Sequence, residues 1–207
     1  MLSRRVLLIA LAGAPLAACN TAQGEGPQLA ASADLTNSFA TLPGEPEKVS
    51  AVELARGRPE LSRALVPYKG EERPGTVIVR TNERKLYLVL GDSKAIRYPV
   101  GVGRAGKQWQ GRASVEGKHV DPAWAPPDEI KRDNPRLPDV IAGGSPRNPM
   151  GPRALTLSGG EQYAIHGTNR PHSVGTFATY GCIRMFNEDI VDLFDRVNVG
   201  TEVLVTL

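Results

Sequence analysis

Cysteine is almost missing from this chain: 207 residues hold two, Cys19 and Cys182. A disulfide framework is therefore excluded as the source of its stability. Histidine is nearly as scarce, with only His119, His166 and His172. None of the three has the paired short spacings of zinc ligands, which argues against a metal site, and no cofactor is expected. Long apolar runs are lacking too. The only candidate, Val6 to Leu16, contains Pro15 and reaches about half of the roughly 20 residues that span a bilayer, which argues for export and against a permanent transmembrane anchor. No dense Lys/Arg run with interleaved aromatics is present, and nucleic acid is not an expected partner. The formal charge of +3 says little, because Arg4 and Arg5 belong to the N-terminal leader and the remainder carries 23 basic against 22 acidic residues. There is no internal repeat.

The leader itself, "MLSRRVLLIALAGAPLAACN", has the charged, apolar and small-residue parts of a signal peptide. Its "LAAC" (Leu16 to Cys19) resembles the bacterial lipobox. That resemblance implies cleavage after residue 18, a lipid on Cys19, and an exported, periplasmic protein anchored to a membrane through that lipid. Asn20, where some bacteria use aspartate for inner-membrane retention, favours the outer membrane. Ordinary cleavage after a small residue is the alternative. "SRRVLL" also looks like a twin-arginine signal, although two arginines equally make a plain positive region.

Residues 19–47 are rich in Gly, Ala, Ser, Thr and Pro without a sustained period and read as a flexible tether, about 30 Å end to end on average. The accessory segment 48–74 contains helical spacing from Ser50 to Tyr68, interrupted by Gly57 and Pro59, which predicts two short helical pieces or a broken helix. From Gly75 the period changes to two. Thr76–Thr81, Arg84–Gly91 and Ala95–Gly103 read as a β-meander broken at "TNE" and "GDS". Arg104 to Pro152 is dense in Pro, Gly and Asn, and most of it reads as irregular. Strand signals return at "ALTLSG" and "QYAIHG". In the closing stretch Asn187 reads as the N-cap of a helix with Ile190, Leu193, Phe194 and Val197 on one face, stopped by Gly200 before a last strand. The class is mainly β.

If Cys19 is acylated, Cys182 is the one free thiol, and it is either inert and buried or reactive. A cysteine nucleophile needs a base, a group that orients the base, and donors for the oxyanion. His166 stands at the end of a predicted strand, and Cys182 follows it by sixteen positions across a turn-rich loop. Spacing alone settles nothing. But "IHGTNRPHSVGTFATYGCIRMFNEDIVDLFDRVNVGTEVLV" (Ile165 to Val205) resembles the C-terminal motif block of the L,D-transpeptidase catalytic domain, the YkuD-like family. It matches at His166, Gly167, Thr168, Ser173, Gly175, Thr179, Gly181, Cys182, Arg184, Met185 and Asp189. The meander "KLYLVLGDSKAIRYPVGVGR" looks like the family's opening strands, so the likeness covers roughly 75–207.

That resemblance implies a β-sandwich-type catalytic domain with one or two short helices, following the N-terminal tether. It also implies acyl transfer on peptidoglycan stem peptides. Cys182 would attack the carbonyl of the third stem residue and release the terminal D-alanine, with His166 as base and then acid and the Gly167 carbonyl holding its second ring nitrogen. The oxyanion would face backbone near Tyr180, Gly181 and Cys182, and Thr179 belongs to the same binding stretch. Arg184 would favour the thiolate and hold a substrate carboxylate. Two positions depart from the pattern. Tyr180 replaces a common histidine, and its phenol, with an ordinary pKa near 10, cannot do that residue's proton transfer at neutral pH. "KQWQGRASVEGK" (Lys107 to Lys118) replaces a Thr-Pro-Thr-Gly region, leaving Trp109 and Trp124 to shape the cleft or to anchor loops. His119 and His172 read as surface residues.

Three functions fit: a transpeptidase, a carboxypeptidase-type Cys-His hydrolase of the same wall, and a non-catalytic peptidoglycan-binding lipoprotein. Intact His166, Gly181, Cys182 and Arg184 argue against the last. The acceptor, whether a second stem peptide, a lipoprotein lysine or a free D-amino acid, is not written in the sequence.

Overall fold

The computed structural model describes residues 49–105, 107–159 and 163–207. The expected signal peptide, Cys19 and the tether lie outside them. The meander forms as its period predicts. β2 (Val77–Arg80), β3 (Lys85–Gly91) and β4 (Lys94–Pro99) pair antiparallel in sequence order. Asp92 and Ser93, both with positive φ (49° and 53°), make the two-residue turn between β3 and β4, the hand that matches strand twist. Alternation sorts the side chains: Val77 and Val79 enter the main core, while Ile78 joins a second cluster with Tyr68, Val89 and Ala95.

β11 (Glu202–Thr206) lies parallel to β2 and antiparallel to β6 (Gly111–Val120). β6 is the strand on which the sheet turns. Its first residues, Gly111–Ser114, pair with β11, and Val115–Val120 pair with β7 (Arg153–Leu157), with a register irregularity between Val115 and Gly117. Beyond β7 come β8 (Ala164–His166), antiparallel to it, and β10 (Ile183–Arg184), parallel to β8. A two-stranded parallel pair, β5 (Val102–Gly103) with β9 (Phe177–Thr179), completes the strands. Apolar side chains from both halves, such as Leu86, Val203, Leu155 and Ile183, meet in one buried cluster, with Ile190 and Leu193 of α3 (Asn187–Arg196) packed into it. The protein is mainly β, as expected.

Two expectations need correction. Ala64–Pro67, expected to be helical, is strand β1, because the outer strand β4 offers it a complete register from Ala64↔Arg97 to Pro67↔Lys94. Helical structure in that segment is confined to α1 (Ala51–Ala55) and a 3-10 turn at Pro59–Leu61. The stretch Arg104 to Pro152 is mostly irregular, as expected, and within it lie β6 and a short helix, α2 (Asp128–Asp133). Pairing on both sides overrides the glycines of β6, a tertiary effect that local propensity does not carry. Finally, Asn187 is not the N-cap of α3. Phe186 holds that position, and the Asn187 amide oxygen turns aside to accept the Thr168 N–H at 2.8 Å.

Candidate active site

His166 ends β8 and is 1% exposed. Its Nδ1 lies 2.7 Å from the Gly167 carbonyl. A carbonyl only accepts, so Nδ1 carries the proton and Nε2 is left with its lone pair. Burial, with the positive charge of Arg184, lowers the imidazole pKa to about 3, although the carbonyls of Gly167 and Pro149 both favour its protonated form. The ring is therefore neutral at physiological pH. The turn after it is tightly built. A side chain on residue 167 would meet Asn187 Oδ1 at 2.5 Å, so glycine is required where Asn187 clamps Thr168.

The parallel register Ile183↔Ile165 and Arg184↔His166 places Cys182 level with Ala164, one residue before β10. Residues 164, 166, 182 and 184 thus share one face of the sheet. The Ala164 N–H is directed at the Cys182 sulfur, and the charge of Arg184 bears on both Cys182 and His166. Strand spacing and rise put the Cα atoms of Cys182 and His166 about 8 Å apart, within reach of a thiol and an imidazole. Cys182 is half-buried and is the one free cysteine among the described residues. Burial pushes its thiol up, and the Ala164 N–H and Arg184 offset this only in part. Burial thus disfavours both charged forms, the Cys182 thiolate and the His166 imidazolium, and the thiolate expected at neutral pH is not the resting form.

Arg184 is 1% exposed and donates from Nη1 to Ser173 Oγ at 2.7 Å. It acts on the pair as a fixed buried charge. The segment before the thiol is pinned by Thr179, whose hydroxyl accepts the Gly181 N–H (3.2 Å) and donates to the Cys182 carbonyl (2.6 Å). The Gly181 N–H, expected at the oxyanion site, therefore already has a partner. The Gly181 carbonyl accepts from Trp109 Nε1 at 3.1 Å. Trp109 stacks on Tyr163 with centroids 4.7 Å apart, and a side chain on residue 181 would strike the Tyr163 ring at 2.5 Å.

The Tyr180 side chain is engaged by α2 and Arg104. Its O–H donates to Asp133 Oδ2 at 2.5 Å, and the Arg104 guanidinium lies 4.0 Å above its ring. Burial and Asp133 push the phenol up to about 12, so it transfers no proton at neutral pH. The Tyr180–Asp133 bond fastens α2 to the loop that carries Cys182, and the Lys107–Glu129 pair at 2.6 Å ties α2 to the stretch after β5. Trp124 is buried in a cluster with Ile130, Leu137 and Ile141 and anchors the segment around α2. His119 and His172 are both exposed. Among the described residues no group of three or more His, Cys, Asp and Glu is placed to hold a metal. Sequence reasoning did not find Tyr163, Pro149 or the Asp133–Arg104 pair. For α2 a signal existed: Pro127, then Asp128 and Glu129 in the first turn and Lys131 and Arg132 in the last.

Residues 74–205 match the family of the L,D-transpeptidase catalytic domain, YkuD. The chain is 38% identical over 136 residues to an Escherichia coli K12 protein named "Probable L,D-transpeptidase ErfK/SrfK", covering 61% of this chain and 42% of that one. It is 37% identical over 135 residues to Bacillus subtilis YqjB, covering 63% and 70%. The chain thus spans about two fifths of the length of the Escherichia coli relative. Among solved structures, Enterococcus faecium L,D-transpeptidase superposes with a TM-score of 0.51 at 15% identity, over 65% of this chain and 50% of that one. Mycobacterium tuberculosis L,D-transpeptidase 3, solved with a faropenem-derived adduct, gives 0.50 at 14% identity, over 64% and 60%. These likenesses support the fold. The sequence match over 74–205 carries the assignment: the chain belongs to the YkuD family of L,D-transpeptidase catalytic domains.

Proposed function

We propose that this protein is a peptidoglycan L,D-transpeptidase that works through an acyl-enzyme on Cys182, with tetrapeptide stems as acyl donors. The observation that carries the reading is the 2.7 Å contact between His166 Nδ1 and the Gly167 carbonyl, from which the tautomer follows. With Nδ1–H held by Gly167, Nε2 is the basic atom on the face shared with the thiol. The Cys182 sulfur attacks the carbonyl of the third stem residue while its proton passes to His166 Nε2. The carbonyl π pair moves onto oxygen. The carbonyls of Gly167 and Pro149 stabilise the transient imidazolium. Backbone N–H groups of Tyr180 and Cys182, on either side of the engaged Gly181 N–H, face the oxyanion. Collapse breaks the peptide C–N bond, and the D-alanine amine leaves with the proton from His166. An acceptor amine then reverses the sequence. Arg184 restrains the thiol's pKa from within the sheet, and Thr179 holds the loop's shape.

The domain division 1–18, 19–47, 48–74 and 75–207, export to the periplasm and lipidation at Cys19 with outer-membrane retention belong to the same proposal. Fatty-acid labelling lost in Cys19→Ala supports them, and unchanged labelling sinks the lipoprotein reading. Intact-mass spectrometry with a penem, the class that gives the faropenem-derived adduct in the mycobacterial relative, tests the chemistry. One adduct on Cys182, absent in Cys182→Ala, supports it. With a tetrapeptide stem and an acceptor amine, a cross-linked product identifies the transpeptidase. Tripeptide alone identifies a carboxypeptidase, and no reaction by folded protein leaves a peptidoglycan-binding lipoprotein.

A further inference from the structure

The stretch Lys107–Lys118 departs from the family pattern, and the acyl transfer described above gives its tryptophan no task. We propose that Trp109 is a positioning residue for that reaction. Its indole N–H fixes the peptide plane between Gly181 and Cys182, and so the direction in which the Cys182 N–H meets the developing oxyanion. The inference rests on the acyl-enzyme reading.

Three consecutive peptide units run from Tyr180 to Ile183. Thr179 Oγ1 holds the first through the Gly181 N–H and the third through the Cys182 carbonyl. The middle unit joins the Gly181 carbonyl to the Cys182 N–H, and Trp109 Nε1 donates to that carbonyl from 72 residues away at 3.1 Å. In a trans peptide the C=O and N–H are antiparallel, so a donor that anchors the carbonyl also aims the N–H on the other side. A hydrogen bond accepted by the carbonyl polarises the unit as well and strengthens its N–H as a donor.

Two further features keep the indole in place. Tyr163 lies parallel to it, 4.7 Å away with a 9° tilt. Both rings pack on the main core. The same tyrosine ring closes the space beside Gly181, whose φ of +124° is open only to glycine. The peptide therefore has a wall on one side and a donor on its oxygen. Trp109 touches no reacting atom, so its effect should appear where negative charge develops on a carbonyl oxygen and nowhere else.

The test uses the full-length chain with Trp109→Phe, and with benzothienylalanine at position 109, which keeps the fused ring and replaces the N–H by sulfur. Two reactions of the same sulfur are timed. Penem acylation builds an oxyanion; alkylation by iodoacetamide displaces iodide and builds none. Loss of one orienting hydrogen bond should slow the saturating acylation rate about tenfold in both variants. The penem concentration at half saturation and the alkylation rate should stay as in wild type, and 7-azatryptophan, which retains the N–H, should restore acylation. Parallel losses in both reactions would make Trp109 merely structural and overturn the proposal, as would unchanged acylation in the benzothienyl variant. A folded wild type that never acylates would instead overturn the acyl-enzyme reading beneath it.

Discussion

A neutral Cys182–His166 pair predicts two different pH profiles from one sulfur. Burial raises the thiol above its ordinary value of 9.0. At pH 7 the thiolate is then fewer than about one molecule in a hundred. Iodoacetamide consumes thiolate, so its rate should climb about tenfold per pH unit between about pH 6 and 9. Penem acylation behaves otherwise, because the thiol hands its proton to His166 during attack. That imidazole loses its own proton near pH 3 and is in the base form throughout the working range. Acylation should therefore be flat from about pH 5 to 8, with none of the fall near 6.5 that an ordinary histidine produces. His166→Ala should cost acylation a factor on the order of 10² at pH 7. Its remaining rate should follow the alkylation slope, since only pre-formed thiolate can then react. Stopped-flow acylation and timed mass-spectrometric alkylation across this range decide the matter. An alkylation plateau with a midpoint below pH 7 would mean a thiolate–imidazolium pair at rest and would refute the reasoning.

The same electrostatics bear on stability. Asp189, buried in the first turn of α3 with Arg63 Nε at 3.8 Å, has its pKa raised to about 7, so its cost is absent below its unfolded value of 3.8 and accumulates as pH rises toward 7. His166, lowered from 6.5 to about 3, destabilises in the opposite direction as pH falls through that window. The two slopes nearly cancel, and urea unfolding of the wild type should change little between about pH 4 and 6.5. Asp189→Asn should stabilise by up to roughly 4 kcal/mol above pH 7 and lay bare the acid loss due to His166; a variant as flat as wild type would contradict this. Gly181→Ala, forced against Tyr163 at 2.5 Å with φ at +124°, should cost about 1–3 kcal/mol, and an unchanged melting temperature would count against the wall described. Tyr180→Phe removes the O–H bond to Asp133 and keeps the ring beneath Arg104. Amide exchange in Asp128–Asp133 should quicken while acylation stays near wild type, and a collapse of acylation would give the phenol a direct role.

The meander and its turns were legible because alternation and turn residues are local properties of the chain. Val77 and Val79 against Ile78 is a period-two signal that survives into the packed sheet. The thiol and its histidine were legible for a different reason, since "HGT" and "GCIRM" are long enough to identify a family before any contact is known. What the residues did not disclose depends on partners distant in sequence. β1 exists because β4 offers it an open register, and β6 because β11 and β7 flank it. The ionisation of the site is of the same kind. Arg184 two residues after a cysteine suggests a lowered thiol pKa, as through-space charge would produce. Only burial, which depends on how β8 and β10 sit in the whole sheet, shows that desolvation wins. The reassignment of the Gly181 N–H follows from the Thr179 hydroxyl reaching forward across two residues, a contact that a Thr-X-Gly-Cys sequence permits and does not require. Local pattern thus reports which groups are present. The state in which they react is set by contacts such as Gly167 on Nδ1 and Trp109 on Gly181, and these come only from the folded sheet.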